Sequence, residues 1–274
     1  MQRFEMIGSP LAHVRTPGLL NAMLAARGDD RRMRLRELLP RDLPAYAKAA
    51  KRAGEVAGLV VTTPLKQAIA AELDRRTSLV GLIGSCNCVR AETSGWVGAN
   101  FDGFGFSRAL RCAGIGLAGR HVLLKGCGGA GRAIAARIVD EAAAALVIDD
   151  PETAKTAAFV ARLQARAPAS AVSAGIDSRG RFDLVINASP LGMAADDPSP
   201  VPAEVVAQCA GVVDIVIAAG ESALARLARE QGKPFLAGAA MVEGQAELLL
   251  GFLLGPAMTE EAVLPADAAA KSFA

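Results

Sequence analysis

The sequence predicts an α/β protein with largely parallel sheets, and three observations carry that expectation. Short apolar, β-branched runs alternate with longer helical patterns along the chain. The composition is 52% apolar but only 4% aromatic, an aliphatic, alanine-rich balance that suits strands covered by helices. A glycine-rich loop stands between one such strand and one such helix, near the middle of the 274 residues. That length can bury the core of one large domain or of two ordinary ones.

Strands are expected at residues 4–7, 34–38, 58–62 and 86–90, then at 121–125, 145–148, 184–187, 212–217 and 234–237. Helical patterns fill the intervals, among them 17–26, 42–53 and 132–141. A hairpin-like stretch sets 88–92 against 96–100 around a turn at 93–95, and a domain boundary is expected near residue 102, where it ends. Asp102 then suits the N-cap of the next helix, its carboxylate accepting from free amides of the first turn. The last ten or so residues read as a frayed tail.

Charge and cysteine usage narrow the class. A formal net charge of +2 with dispersed basic residues leaves no electrostatic footprint for nucleic acid. Five cysteines without repeating pairs argue against a disulfide framework and for a reduced, intracellular setting. Cys86 and Cys88 alternate across a strand, and neither His13 nor His121 has ligand-like spacing to them, so no metal site is expected. No signal peptide is read at the N-terminus, and no apolar run reaches the roughly 20 residues that cross a bilayer. The expectation is a cytoplasmic monomer or homodimer acting on a small molecule.

The loop reads Gly126-Cys127-Gly128-Gly129-Ala130-Gly131, with a strand before it and a helix after it. In that context G-x-G-x-x-G binds dinucleotides: the first glycine allows a tight turn, the second admits the pyrophosphate, and the third lets helix and strand pack closely. Free amides at the helix N-terminus then face the phosphates. The following strand ends in Asp149-Asp150, about twenty residues beyond the loop. An acidic side chain there accepts from the ribose hydroxyls and repels a 2′-phosphate, which favours NAD over NADP; of the two, Asp149 is preferred.

Before the boundary, the strand at 58–62 runs into Thr63-Pro64-Leu65-Lys66, placing a lysine where open α/β sheets bind ligands. Asn87 and Asn100 stand at strand ends and offer paired donors and acceptors, for substrate hydroxyls or for local backbone. An ammonium oriented by a carboxylate such as Asp102 can stabilise oxyanion charge and exchange a proton during hydride transfer.

These segments together resemble the shikimate dehydrogenase family, which includes the quinate/shikimate dehydrogenases. The resemblance rests on Ile7-Gly8-Ser9-Pro10-Leu11-Ala12-His13 followed by Thr16-Pro17, on Val61-Thr62-Thr63-Pro64-Leu65-Lys66, and on Ser85-Cys86-Asn87-Cys88-Val89. It continues through Asn100-Phe101-Asp102-Gly103, the glycine loop, Asn187-Ala188-Ser189-Pro190-Leu191-Gly192-Met193, and Gly238 with Met241 through Gln245. It implies an N-terminal open α/β substrate domain (1–101, completed by a last helix at about 243–274) and a C-terminal Rossmann-like NAD(P)-binding domain (102–242). The active site lies in the cleft between them. By the same resemblance Lys66 and Asp102 form the catalytic pair, while Thr16, Thr62, Asn87, Asn100 and Gln245 hold the substrate. Gly126, Gly128, Gly129, Ala130, Gly131, Asp149, Asp150, Asn187, Ser189, Met193, Gly238 and Met241 face the cofactor.

Departures from the family pattern concern the substrate. The serines that usually bind its carboxylate are Val14 and Thr16 here, and Ile217 stands where a tyrosine is common. Loss of a hydrogen bond to a charged group costs about 1.5–3 kcal/mol. Arg15 compensates only if it turns inward. An Asn-Arg-Thr segment that reads the 2′-phosphate in NADP-dependent relatives is Asp149-Asp150-Pro151 here. The expectation is an NAD-dependent dehydrogenase acting on a cyclic polyol acid such as shikimate or quinate, or on a less polar relative. The alternatives are an NADP-dependent biosynthetic shikimate dehydrogenase and a non-catalytic NAD-binding regulatory paralogue.

Overall fold

The computed structural model describes residues 2–12, 14–175, 181–217 and 220–255. The N-terminal part supplies β1 (Arg3–Gly8), β2 (Met33–Glu37), β3 (Val56–Val61), β4 (Arg75–Arg76), β5 (Cys88–Glu92) and β6 (Gly95–Ala99), in the sheet order β2-β1-β3-β5-β6-β4. Its helices are α1 (Thr16–Ala26), α2 (Leu43–Ala53) and α3 (Ser78–Ile83). β3 is buried at every position, which explains its unbroken apolar run. This sheet is not wholly parallel: β5 runs antiparallel to both β3 and β6. The tight turn through Thr93 and Ser94 imposes this on β6, since so short a link joins only antiparallel neighbours.

The remaining elements are α4 (Asp102–Cys112), β7 (His121–Lys125), α5 (Gly129–Asp140), β8 (Ala145–Asp149), α6 (Thr153–Arg166) and β9 (Ala171–Ala174). They continue with β10 (Leu184–Asn187), α7 (Ala203–Gln208), β11 (Gly211–Asp214), α8 (Ala223–Glu230), β12 (Phe235–Ala237) and α9 (Ala239–Leu254). The second sheet is parallel throughout, in the order β12-β11-β10-β7-β8-β9. That is the doubly wound order, reversing between β7 and β10, where such sheets open a crevice at the carboxyl ends of the strands. Leu124, Leu146 and Ile148 pack under Ile134 and Phe159 on one face; Leu123 and Val185 meet Val206 and Leu224 on the other.

Two helices join the sheets. α4 packs against both α5 and α9. α9 returns to the first sheet, where Leu249, Leu250, Phe252 and Leu253 close over Phe4, Leu20 and Phe101. Arg90 fastens that end, its guanidinium over the Phe252 ring and donating to the Phe252 carbonyl at 2.9 Å.

Several boundaries differ from the sequence reading for local reasons. β4 and β9 lie outside the expected strands; with two and four residues, mostly exposed, they carry almost no periodic signal. The strand expected at 212–217 stops at Asp214, whose carboxylate accepts from the Val216 amide at 3.1 Å and turns the chain. The last helix starts at Ala239, and the expected tail with the rest of 256–274 lies outside the described residues. No helix among the described residues is long and apolar enough to cross a membrane.

Candidate active site

Leu65, fully buried, pins the turn that follows β3 and leaves Lys66 standing over the strand ends. The Lys66 ammonium lies 2.6 Å from Asp102 Oδ2, with the two side chains 14% and 1% exposed. Asp102 is not the N-cap that its position suggests. Phe101 occupies that place, and the Asp102 carboxylate turns to Lys66 and Asn87 instead. Two full opposite charges attract more strongly at this burial than a carboxylate and an amide dipole, so the ammonium wins the carboxylate from the helix amides.

Asn87 is the hub of this cluster. Its Nδ2 donates to Asp102 Oδ1 and to Gln245 Oε1, each at 3.0 Å, and its Oδ1 accepts from the Phe101 amide at 2.9 Å. Asn100 accepts from the Asp102 amide at 2.9 Å and donates to the Ser85 carbonyl at 3.3 Å. Both asparagines therefore serve local backbone, and Asn87 also locks the polar cluster. Thr62 follows β3 directly, and Thr16 opens α1 with 6% exposure; neither hydroxyl bonds to a described residue.

The glycine loop leads from β7 into α5, whose first-turn amides lack partners within the helix. A Cβ at Gly131 would sit 2.1 Å from the Gly126 carbonyl oxygen, so only glycine lets the helix approach this closely; Gly128 faces open space. This shape fits a dinucleotide pyrophosphate. Gly129 joins the cradle to the lysine: a Cβ there would come 2.8 Å from Lys66 Cβ and 2.9 Å from Ser85 Oγ.

The two aspartates after the loop do different things. Asp149, the expected ribose reader, is ion-paired to Lys125, its neighbour across the strands. Asp150 touches the loop itself, accepting from the Cys127 amide at 2.7 Å and from the Glu152 amide at 2.8 Å.

Asn187, fully buried at the end of β10, shapes the segment running to Met193. It donates to the Leu191 carbonyl at 2.8 Å and to Asp214 at 3.0 Å, and accepts from Ser189 Oγ at 2.7 Å. Asp214 is 2% exposed and also accepts from Ser222 at 2.8 Å; burial pushes its carboxyl up. Gly238 abuts Ile215, Met241 is 7% exposed and packs in the core beside α5, and Met193 is largely exposed. Ala130 lies in the first turn of α5.

Val14 and Ile217 make no polar contact. Val14 packs on the core of the first sheet, while Ile217 is 37% exposed in a separate cavity beside Arg15. Sequence reasoning missed Ser85, Lys125 and Asp214 as functional neighbours. All three act through partners distant in sequence, and no spacing signal marks such contacts.

Relatives are found along almost the whole chain. Residues 6–89 match the model described as the shikimate dehydrogenase substrate binding domain. A shikimate dehydrogenase (NADP(+)) of Rubrobacter xylanophilus is 32% identical over 242 residues, covering 86% of this chain and 85% of that protein. The solved shikimate 5-dehydrogenase of Thermus thermophilus, in complex with NADP(H) and shikimate, superposes with a TM-score of 0.80 at 28% identity, covering 93% of this chain and 94% of that one. The 5-ketofructose reductase of a Gluconobacter species superposes with a TM-score of 0.77 at 26% identity, over 95% of each chain. With its N-terminal substrate domain, its Rossmann-like second domain and this likeness along almost its whole length, the chain belongs to the shikimate dehydrogenase family of NAD(P)-dependent CH–OH dehydrogenases.

Proposed function

We propose that the protein is an NAD-dependent dehydrogenase that reversibly oxidises a ring hydroxyl of a cyclic polyol acid such as shikimate or quinate, or of a less polar relative. The observation that carries this reading is the Lys66–Asp102 pair at 2.6 Å, held by Asn87 and in van der Waals reach of the glycine-loop helix. In this reading residues 1–101 with the final helix form the substrate domain, and 102–242 the dinucleotide domain.

When bound, a nicotinamide supplies hydride exchange at the carbon that bears the hydroxyl. The residues of the chain supply the rest. As the ammonium, Lys66 Nζ gives a proton to the ketone oxygen as negative charge develops there and is left as the neutral amine; in the oxidative direction that neutral amine receives the hydroxyl proton. Asp102 aims that nitrogen, and Asn87 with Gln245 fixes the carboxylate and offers hydrogen bonds to neighbouring hydroxyls. The hydroxyls of Thr16 and Thr62 are available to the substrate. The α5 amides receive the pyrophosphate, and the Asn187–Met193 segment lies along the nicotinamide side.

NAD is preferred because Asp149 ends β8 and Asp150 follows it beside the loop. Two like charges about 5 Å apart repel by about 1.7 kcal/mol at an effective dielectric of about 40, roughly twentyfold in affinity. The proposal assigns the ribose to this acidic pair, with Asp150 nearer the loop. The second reading is the NADP-dependent biosynthetic enzyme, favoured by relatives named shikimate dehydrogenase (NADP(+)). Steady-state kcat/KM for shikimate, quinate and their amino and deoxy relatives with both cofactors separates the two. A value at least tenfold higher with NAD is expected, and a preference for NADP overturns the cofactor assignment. A lack of turnover on every cyclic alcohol, with NAD still bound, overturns the dehydrogenase reading.

A further inference from the structure

Glu5, Asp102 and Asp214 are the buried carboxylates among the described residues. Two of them are neutralised where they stand: Glu5 lies 2.7 Å from both Arg3 and Arg36, and Asp102 lies 2.6 Å from Lys66. Asp214, 2% exposed, differs. It accepts from Asn187 at 3.0 Å, the Val216 amide at 3.1 Å and Ser222 at 2.8 Å, all neutral donors. No lysine or arginine among the described residues pairs with it; Arg226 and Arg229 of the adjoining α8 pair with Glu221 instead. Three donors converging on two oxygens suit the ionised group, while burial pushes its carboxyl up against their pull. A buried charge without a counter-charge is costly, and its field acts strongly on whatever arrives beside it.

Asp214 ends β11, directly across from Asn187 at the end of β10. Parallel sheets bind ligands at these carboxyl ends. Asn187 also donates to the Leu191 carbonyl at 2.8 Å, so the carboxylate sits under the turn that leads to Met193. Its Oδ2 lies 3.7 Å from where a Cβ at Gly192 would stand. Gly238 closes the other side: a Cβ there would come 2.4 Å from the carbonyl oxygen of Ile215, the residue after Asp214. Two segments assigned to the cofactor, 187–193 and Gly238, therefore border this one charge.

The two forms of a nicotinamide differ by a hydride, and only the oxidised ring carries a positive charge. Asp102 is a poor partner for that charge, because Lys66 already neutralises it. Asp214 has no such competitor. Its carboxylate attracts the oxidised ring and has little to gain from the neutral, reduced one.

We propose that Asp214 is a specificity-determining residue for the redox state of the cofactor: its unneutralised carboxylate tightens the hold on the oxidised form and so biases the bound reactants toward reduction of the ketone. A protein that holds one of two forms more tightly shifts the equilibrium between them by the same factor. In the favoured direction the hydride passes to the ketone carbon, the Lys66 proton passes to the ketone oxygen, and positive charge appears on the ring. The inference rests on the reading that places a nicotinamide against residues 187–193.

The test is calorimetric measurement of the dissociation constants of NAD+ and NADH, without second substrate or turnover. Asp214→Asn removes the charge and keeps the shape, its amide oxygen still able to accept from Asn187 and the Val216 amide. It should weaken NAD+ about fivefold or more, while NADH stays within about twofold. Ser222→Ala removes one hydrogen bond but leaves the charge, and should keep the ratio of the two constants within about twofold of wild type. Should Asp214→Asn not fold, Ser222→Lys sets an ammonium against the intact carboxylate and is expected to shift the ratio in the same direction. Equal weakening of both forms assigns Asp214 to shaping the turn alone and overturns the proposal. Unchanged constants, or a ratio moved as far by Ser222→Ala as by Asp214→Asn, overturn it too. The ring charge is the same in NADP+ and NADPH, so a wild-type preference for NADP moves the comparison to that pair and leaves the inference standing. Absent turnover with the shift intact fails the dehydrogenase reading alone, and binding of neither form overturns both.

Discussion

The two ends of the interdomain region are built on opposite terms. At the reaction end, Lys66, Asp102, Asn87 and Gln245 are buried or nearly so, and each side chain is committed to another. At the outer end, Ile217 and Phe235 are more than a third exposed and the Arg15 guanidinium makes no bond to a described residue. Pre-organised geometry lowers a barrier only if it holds still, and the saturated cluster provides that. Damage to the first end should appear in kcat.

The largest effect expected is at the ammonium. Lys66→Ala should lower kcat by about 10²- to 10⁴-fold, the usual value of positioned proton transfer, while NAD affinity measured by calorimetry stays within twofold. Near-normal turnover would break the contrast between the two ends. Next comes the hub: Asn87→Ala removes a hydrogen bond to the Asp102 carboxylate and leaves Gln245 and the Phe101 amide without their partner. Loss of hydrogen bonds to a charged group implies a fall of roughly 10- to 100-fold in kcat/KM, checked by steady-state kinetics. A fall seen only in KM would move Asn87 from positioning the carboxylate to binding substrate alone.

The cofactor assignment predicts a smaller change. Asp149→Asn with Asp150→Arg removes both carboxylates and adds a cation at the end of β8. The ratio of kcat/KM for NADP to that for NAD should rise at least tenfold, with little change in substrate KM; an unchanged ratio would remove the acidic pair from cofactor choice.

The smallest effect is on stability, away from both ends. Glu5 on β1 is 1% exposed and accepts from Arg36 and Arg3 at 2.7 Å and from Tyr46 at 2.8 Å. Burial pushes its carboxyl up, but these three hydrogen-bond donors outweigh it and hold the group below its ordinary 4.5. Because the folded form favours the ionised group, this stabilisation is present above pH 4.5 and is lost as pH falls below it. Glu5→Gln should cost about 1–3 kcal/mol in urea unfolding at pH 7, and the difference from wild type should shrink below pH 4.5. A constant difference across pH would show that packing, not charge, accounts for the loss.

The legible part of the site is what lies within one motif. The glycine loop can be read because strand, turn and helix are contiguous, and a Cβ at Gly131 has no room. Lys66 can be placed at a strand end because β3 is a continuous buried run. Asp102 is open to two readings, since a first-turn carboxylate suits a cap as well as an ion pair. Only the approach of the lysine from another element decides between them. Lys125 beside Asp149, and Asp214 beneath Asn187, are cross-strand contacts that no local pattern announces.

The sequence by itself determined the class of fold, the dinucleotide loop and the identity of the residues placed at the reaction end. These depend on periodicity, turn chemistry and short contiguous motifs, all of which are local. Tertiary structure alone decided that β5 runs antiparallel, that Gln245 on α9 meets Asn87 158 positions away in sequence, and that Arg15 borders a cavity formed by the opposite sheet. These are long-range matters. They are set by which buried faces pack together, and a one-dimensional pattern carries that information only through the chemistry of residues still to meet.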